Sequence, residues 1–153
     1  MRTFILMTAL ALTLAFSRVT KADVLTLFSG FVVWTETAQF IDDHIVIDGS
    51  GDGNSTLGTF TYTFHAEVDP VTGQGKERAQ VTFANGDTWK TTGIGQGDNT
   101  GVGAVAHVTD IHQVKMATGQ FAGQVGDFTV DRLVDLVTGN SRGSIHGEFI
   151  KSE

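Results

Sequence analysis

A chain of 153 residues with seventeen Asp and Glu, ten Lys and Arg, five His and no cysteine has the length of one domain and a formal charge of −7. Without cysteine it has no disulfide staples, no thiol nucleophile and no lipid attached through a cysteine, so the fold rests on its own core. The acidic balance argues against nucleic acid or an anionic membrane as partner, because both are held by basic patches.

The first 22 residues read as a secretory signal peptide. Arg2 supplies a basic start, an apolar run extends from Phe4 to Phe16, and Thr20 and Ala22 are placed for cleavage before Asp23. The run falls short of the roughly 20 residues that a bilayer span needs. The expectation is a secreted or periplasmic domain over residues 23–153, with no membrane attachment after cleavage. Arg2, Arg18 and Lys21 leave with the leader, so seven basic residues face seventeen acidic ones and the domain carries about −10.

Beyond residue 23 the pattern has period two rather than helical spacing. Alternation runs from Phe28 to Phe40, with a shorter candidate strand at His44 to Asp48. The segment DGSGDGN, Asp48 to Asn54, reads as an acidic loop. It spaces Asp48, Ser50, Asp52 and Asn54 like calcium ligands, but the twelfth position is Thr59 where a bidentate acid is needed. From Gly58 to Val68 the alternation is clear: Phe60, Tyr62, Phe64, Ala66 and Val68 share one face, and Thr59, Thr61, Thr63, His65 and Glu67 the other. Further candidates are Gln80 to Ala84, Thr88 to Gly93, Val102 to Asp110, Phe128 to Val134 and Gly143 to Phe149, making about eight strands.

Turn chemistry separates them. Asp69-Pro70-Val71-Thr72-Gly73 recurs as Asp135-Leu136-Val137-Thr138-Gly139, and each reads as a hairpin in which Asp accepts backbone N–H groups and Gly takes the left-handed position. Asn85-Gly86 marks another hairpin. Antiparallel strands with one apolar face must close into a barrel or stack as a sandwich. Glycines within or beside the strands (Gly30, Gly93, Gly123, Gly126, Gly143, Gly147) favour the antiparallel, roughly eight-stranded β-barrel, with a β-sandwich as the alternative.

Thr118, Gly119, Phe121, Ala122, Gly123 and Gly126, followed by the hairpin at Asp135 to Gly139, carry a family likeness. This part of the chain resembles the TGxFxGAxG segment of secreted barrels related to allene oxide cyclases and dirigent proteins. The resemblance implies a small eight-stranded barrel, often a homo-oligomer, with an apolar central cavity that holds a reactive small molecule in one conformation. It also implies cyclase- or isomerase-type activity without a cofactor. No catalytic motif of the plant enzymes matches residue by residue, so no active site is carried over.

Strand parity supplies the site candidates. Arg132 shares a face with Phe128, Val130 and Val134; Asp110 with Val102, Ala104, Ala106 and Val108; Glu36 with Val32, Trp34 and Phe40. A charge among apolar neighbours is costly unless it is paired or used. Arg132 or Tyr62 is the expected donor to a carbonyl or oxyanion, and Asp110 or Glu36 the expected base. The same residues also read as a structural ion pair. Trp34, Phe60, Phe64 and Phe128 are the expected walls around a small apolar substrate. His65 with Glu67 and His146 with Glu148 form two H-x-E pairs on polar faces. They would make a zinc or copper site only if the two strands were neighbours, and the expected reading is solvated exterior with no metal. Enzyme and non-catalytic carrier of an apolar ligand both remain open at this stage.

Overall fold

The computed structural model describes residues 23–151; the expected leader, residues 1–22, lies outside the described residues. Eight antiparallel strands close into a barrel in which every strand pairs with its sequence neighbours and β1 pairs with β8. They are β1 Val24–Ile41, β2 His44–Ser55, β3 Gly58–Val68, β4 Gln74–Phe83, β5 Thr88–Asn99, β6 Val105–Ala117, β7 Gln124–Asp135 and β8 Asn140–Lys151. Closure rules out the sandwich and leaves no open sheet edge between β1 and β8. The one helical piece among the described residues is a 3₁₀ turn at Gly119–Phe121. None of the described residues forms a helix long and apolar enough to cross a membrane.

Period two sorts the side chains. In β3, Phe60, Tyr62, Phe64 and Ala66 are buried, and the threonines, His65 and Glu67 between them are exposed, as the alternation predicts. The acidic segment from Asp48 to Asn54 is strand rather than loop, and it belongs to β2. Its glycines face inward because neighbouring rings occupy the space. A Cβ on Gly51 would lie 2.2 Å from the Trp34 Cβ, and one on Gly49 2.2 Å from the Phe64 ring. Asp48, Ser50, Asp52 and Asn54 therefore point outward in a row along a straight strand and cannot wrap a calcium ion. Among the described residues, no group of three or more His, Asp or Glu is placed to hold a metal.

Several strands run longer than their patterns. β4 begins at Gln74 and β5 continues to Asn99, where Gly75, Gly93, Gly95 and Gly97 hold inward positions and mask the alternation. β6 starts at Val105 and continues past Asp110 to Ala117, leaving Val102 and Ala104 in the loop before it. A bulge between Lys90 and Thr91 on β5 skips Lys115 on β6.

Both DxVTG segments form the expected hairpin. Asp69 Oδ1 accepts from Val71 and Thr72 N–H, Asp135 Oδ1 accepts from Val137 and Thr138 N–H, and Gly73 and Gly139 sit at φ +70° and +71°. These backbone donors hold both carboxyls below the usual Asp range. The two hairpins close the same end of the barrel, four strands apart.

At the other end the interior is aromatic. Trp89, fully buried, packs its ring 5.0 Å from Phe28, 4.9 Å from Phe83 and 4.3 Å from Phe149. The β6–β7 connection plugs this end. Phe121 inserts 4.6 Å from Phe83 and 5.1 Å from Trp89. Its loop is tied down by Thr118 N–H to Thr88 O at 2.9 Å and Gln120 N–H to Asp87 Oδ2 at 3.0 Å. Gly119 takes φ +56° there, with Asp87 so close that no Cβ fits.

Candidate functional site

The open end has a different interior. Where aromatic rings fill the plugged end, the inward positions here carry Ile45, Ile47, Ala66, Val68, Ala106 and Val108, side chains too small to meet across the barrel. They leave a cavity of about 310 Å³, at the lower end of the range for small-molecule sites. Gly95 and Gly97 contribute bare backbone to one wall. The rim carries the Asp69–Gly73 turn on one side and Leu136 on the other. Above the last β1–β8 pair, Thr35 with Asn140, β1 continues paired to β2 alone up to Ile41 with His44. At its base the Glu36 N–H still donates to Gly139 O at 2.8 Å, and Phe40 near its tip is 67% exposed.

Glu36, Glu77, Asp110 and Arg132 line the cavity where it meets the packed interior. All four are buried, with 4–8% of their surface exposed. Arg132 Nε donates to Asp110 Oδ2 at 3.2 Å, and Arg132 Nη1 donates to Glu36 Oε1. The guanidinium lies between two aromatic faces, 5.0 Å from the Phe64 ring and 5.7 Å from the Trp34 ring. Burial disfavours its charge, but Asp110 and Glu36 outweigh this and hold it protonated, above the ordinary arginine range.

Asp110 is the unusual member. Burial, with the negative charge of Glu77 adding to it, pushes its carboxyl up to about 6 against the pull of Arg132. Only glycine opposite it leaves room, since a Cβ on Gly95 would lie 2.1 Å from Asp110 Oδ1. A group titrating there near neutrality can both accept and return a proton.

A second polar layer lies behind the first. Tyr62 donates its hydroxyl to Glu77 Oε1 at 2.9 Å, and its oxygen is 3.1 Å from His112 Nε2. That donation places a hydrogen on Nε2, which also faces Glu77 Oε1 at 3.3 Å. On the other side of the ring, His112 Nδ1 is 3.0 Å from Thr91 Oγ1. His112 is fully buried and stacks on Phe128 at 4.9 Å with an interplanar angle of 12°. Burial, then the charge on Glu77, raises the Tyr62 phenol well above its ordinary value, so it stays a neutral donor.

The structure thus brings Arg132, Asp110 and Glu36 together at the cavity and places Tyr62 one layer behind. The four expected substrate walls are elsewhere: Trp34 and Phe64 flank the guanidinium, Phe60 packs 5.7 Å from Phe28, and Phe128 lies under His112. None of the four borders the cavity, whose walls are aliphatic. Two participants have no counterpart in the sequence expectations. His112 shares parity with Asp110, but a strand taken to end at Asp110 hides it. Glu77 sits between Lys76 and Arg78 and resembles solvated surface, yet counting back by twos from Phe83 and Val81 puts it inside. The two H-x-E pairs stay apart, because β1 and β2 stand between β3 and β8. His65 bonds instead to Asp48 at 2.8 Å on β2.

Compared with known proteins, the chain matches no family model, no curated protein and no solved structure.

Proposed function

We propose that this barrel binds a small, largely apolar molecule through its open end and acts on it as a cofactor-free isomerase or cyclase. One observation carries the reading: a cavity with aliphatic walls ends on a buried ion pair, Arg132 with Asp110, whose carboxyl is poised near neutral pH. Apolar walls hold the body of a ligand, and a few convergent polar groups orient its reactive end.

The chemistry suited to this set is proton transfer next to a carbonyl. The Asp110 carboxylate removes a proton from the carbon beside the carbonyl. The C–H electron pair becomes a C=C bond, and the carbonyl electrons move onto oxygen. Arg132 keeps N–H donors beyond those bonded to Asp110 and Glu36, and these meet the developing negative charge. The Asp110 carboxylic acid then returns the proton to a different carbon, so the product is an isomer and the enzyme is regenerated. Glu36 keeps Arg132 in place while Asp110 changes charge, and Tyr62 and His112 hold Glu77. The family resemblance and the export signal read from the sequence fit a small secreted barrel of this kind.

One feature favours the alternative, a carrier outside the cytoplasm. Arg132 already bonds two carboxylates, so the ion pair can be purely structural beneath a passive pocket. Cyclohexanone, a compact ring with one carbonyl, separates the readings by NMR in D₂O. An isomerase binds it saturably, exchanges the hydrogens beside its carbonyl, and loses exchange but not binding in Asp110→Asn. Saturable binding without exchange leaves the carrier. Binding unchanged by Ala106→Phe, which fills the cavity, contradicts both.

A further inference from the structure

The outside of the barrel is electrically divided in a way that composition hides. β4 and β6 carry one carboxylate each, Glu77 and Asp110, and both point inward. On β5 the one acid is Asp98, at the open rim. The outer wall of β4–β6 therefore has no acid along its middle, while three cations, Arg78, Lys90 and Lys115, are exposed there. Past β6 the wall turns acidic: β7, its neighbour, and β8 expose Asp127, Asp131 and Glu148. A domain with seven basic and seventeen acidic residues after the expected cleavage has thus collected three of its cations in one place.

The register shows how. Arg78 pairs with Thr92, so Lys90, two residues away on β5, is its diagonal neighbour at about 7–8 Å. Lys90 faces Met116 on β6, and the bulge leaves Lys115 and Met116 both exposed beside it. Without the bulge Lys115 would face Lys90 directly and Met116 would alternate inward. None of the three cations makes an ion pair among the described residues; Lys115 bonds only the amide oxygen of Gln113. Like charges this close destabilise the sheet; the nearest outward acids, Glu67 on β3 diagonal to Arg78 and Asp127 on β7 opposite Gln113, form no ion pair with them. They border a shallow groove of about 630 Å³ that also presents Thr63, Gln80 and Thr92.

We infer that this groove binds an acidic polysaccharide, independently of the cavity. A linear polyanion satisfies the three cations at once, and the hydroxyl and amide side chains between them match sugar hydroxyls. The groove exposes one ring, the His65 imidazole, which is held by Asp48 at 2.8 Å, and Phe64 beneath it is buried; a single imidazole is no platform for successive bases, and the exposed phenyl rings, Phe31 and Phe40, lie on β1. Saccharide therefore fits better than single-stranded nucleic acid.

The test uses fluorescently labelled dextran sulfate and polygalacturonate, with neutral dextran as control, at about 50 mM salt. Both polyanions should bind, and neutral dextran should not. Combining Arg78→Gln, Lys90→Gln and Lys115→Gln should weaken binding at least about tenfold and make the log–log salt dependence shallower by about 2. Its thermal midpoint should not fall, since all three side chains point outward. Combining Arg142→Gln and Lys151→Gln on the opposite wall should change affinity less than about twofold. Four results overturn the proposal: no polyanion binding, equal losses in the two variants, single-stranded DNA binding as tightly as the polysaccharides, or self-association abolished by the triple variant.

Discussion

The two ends of this barrel are built on one backbone plan and filled by opposite rules. At the plugged end the inward positions carry Phe28, Phe60, Phe83, Trp89 and Phe149, with Phe121 as cork. At the open end the inward positions of β1 and β3 to β7 carry Glu36, Ala66, Glu77, Gly95, Asp110 and Arg132. A closed eight-stranded barrel of this size has an interior that side chains either fill or leave for one small ligand. Here it does each in one half. The aromatic half supplies the burial that stabilises the fold, which lets the other half hold charges and space that contribute little to stability.

The sharpest way to break this division is to remove a ring. Trp89→Ala should cost about 3–5 kcal/mol in urea unfolding, because a fully buried indole packed against Phe28, Phe83, Phe121 and Phe149 leaves a cavity that the rigid barrel cannot collapse. A loss under about 1 kcal/mol would mean that stability resides elsewhere.

Arg132→Ala should be nearly as damaging, by about 3–5 kcal/mol, but for a different reason: it leaves Glu36 and Asp110 buried without a cation. The two causes separate in a second variant. Arg132→Met with Glu36→Gln and Asp110→Asn removes the unpaired charges and should recover most of the loss, whereas no second change beside Trp89→Ala restores the missing ring.

The smallest effect depends on pH. The folded-state value of Asp110, about 6, lies above the ordinary Asp value of 3.8, so the folded protein holds that proton more tightly than the unfolded chain. Its contribution to stability is therefore present below about pH 4 and is lost as the pH rises through 6. Stability relative to Asp110→Asn should fall across that window, by about 3 kcal/mol at most, and level off above it. A flat difference between pH 4 and pH 8 would show that Asp110 is not perturbed.

How much of this was legible in the sequence depended on what the inward positions carry. Where they are large and apolar, as in β3, period two gave the strand, its faces and its ends. Where they are glycine, as at Gly49, Gly51 and Gly53, the strand imitated a loop, because the side chains filling the space belong to β1 and β3 and are remote in sequence. The charged layer was half visible. Arg132, Asp110 and Glu36 stand out against apolar neighbours at the same parity, but Glu77 is screened by Lys76 and Arg78, and His112 lies past the point where the apolar pattern fades. Aliphatic cavity walls could not be foreseen from the aromatic residues, since those meet one another and fill the interior they line. The basic groove was invisible to composition, because only pairing register brings Arg78, Lys90 and Lys115 together.

The charged open end, and not the aromatic end, is the proposed binding site. A crystal structure of the protein soaked with cyclohexanone tests it most directly. The ring should lie against Ile47, Val68 and Val108 with its oxygen toward Arg132, and the cluster around Trp89 should be undisturbed. Ketone lodged among the aromatic rings, or none in the cavity at a concentration that saturates the NMR signal, would contradict it.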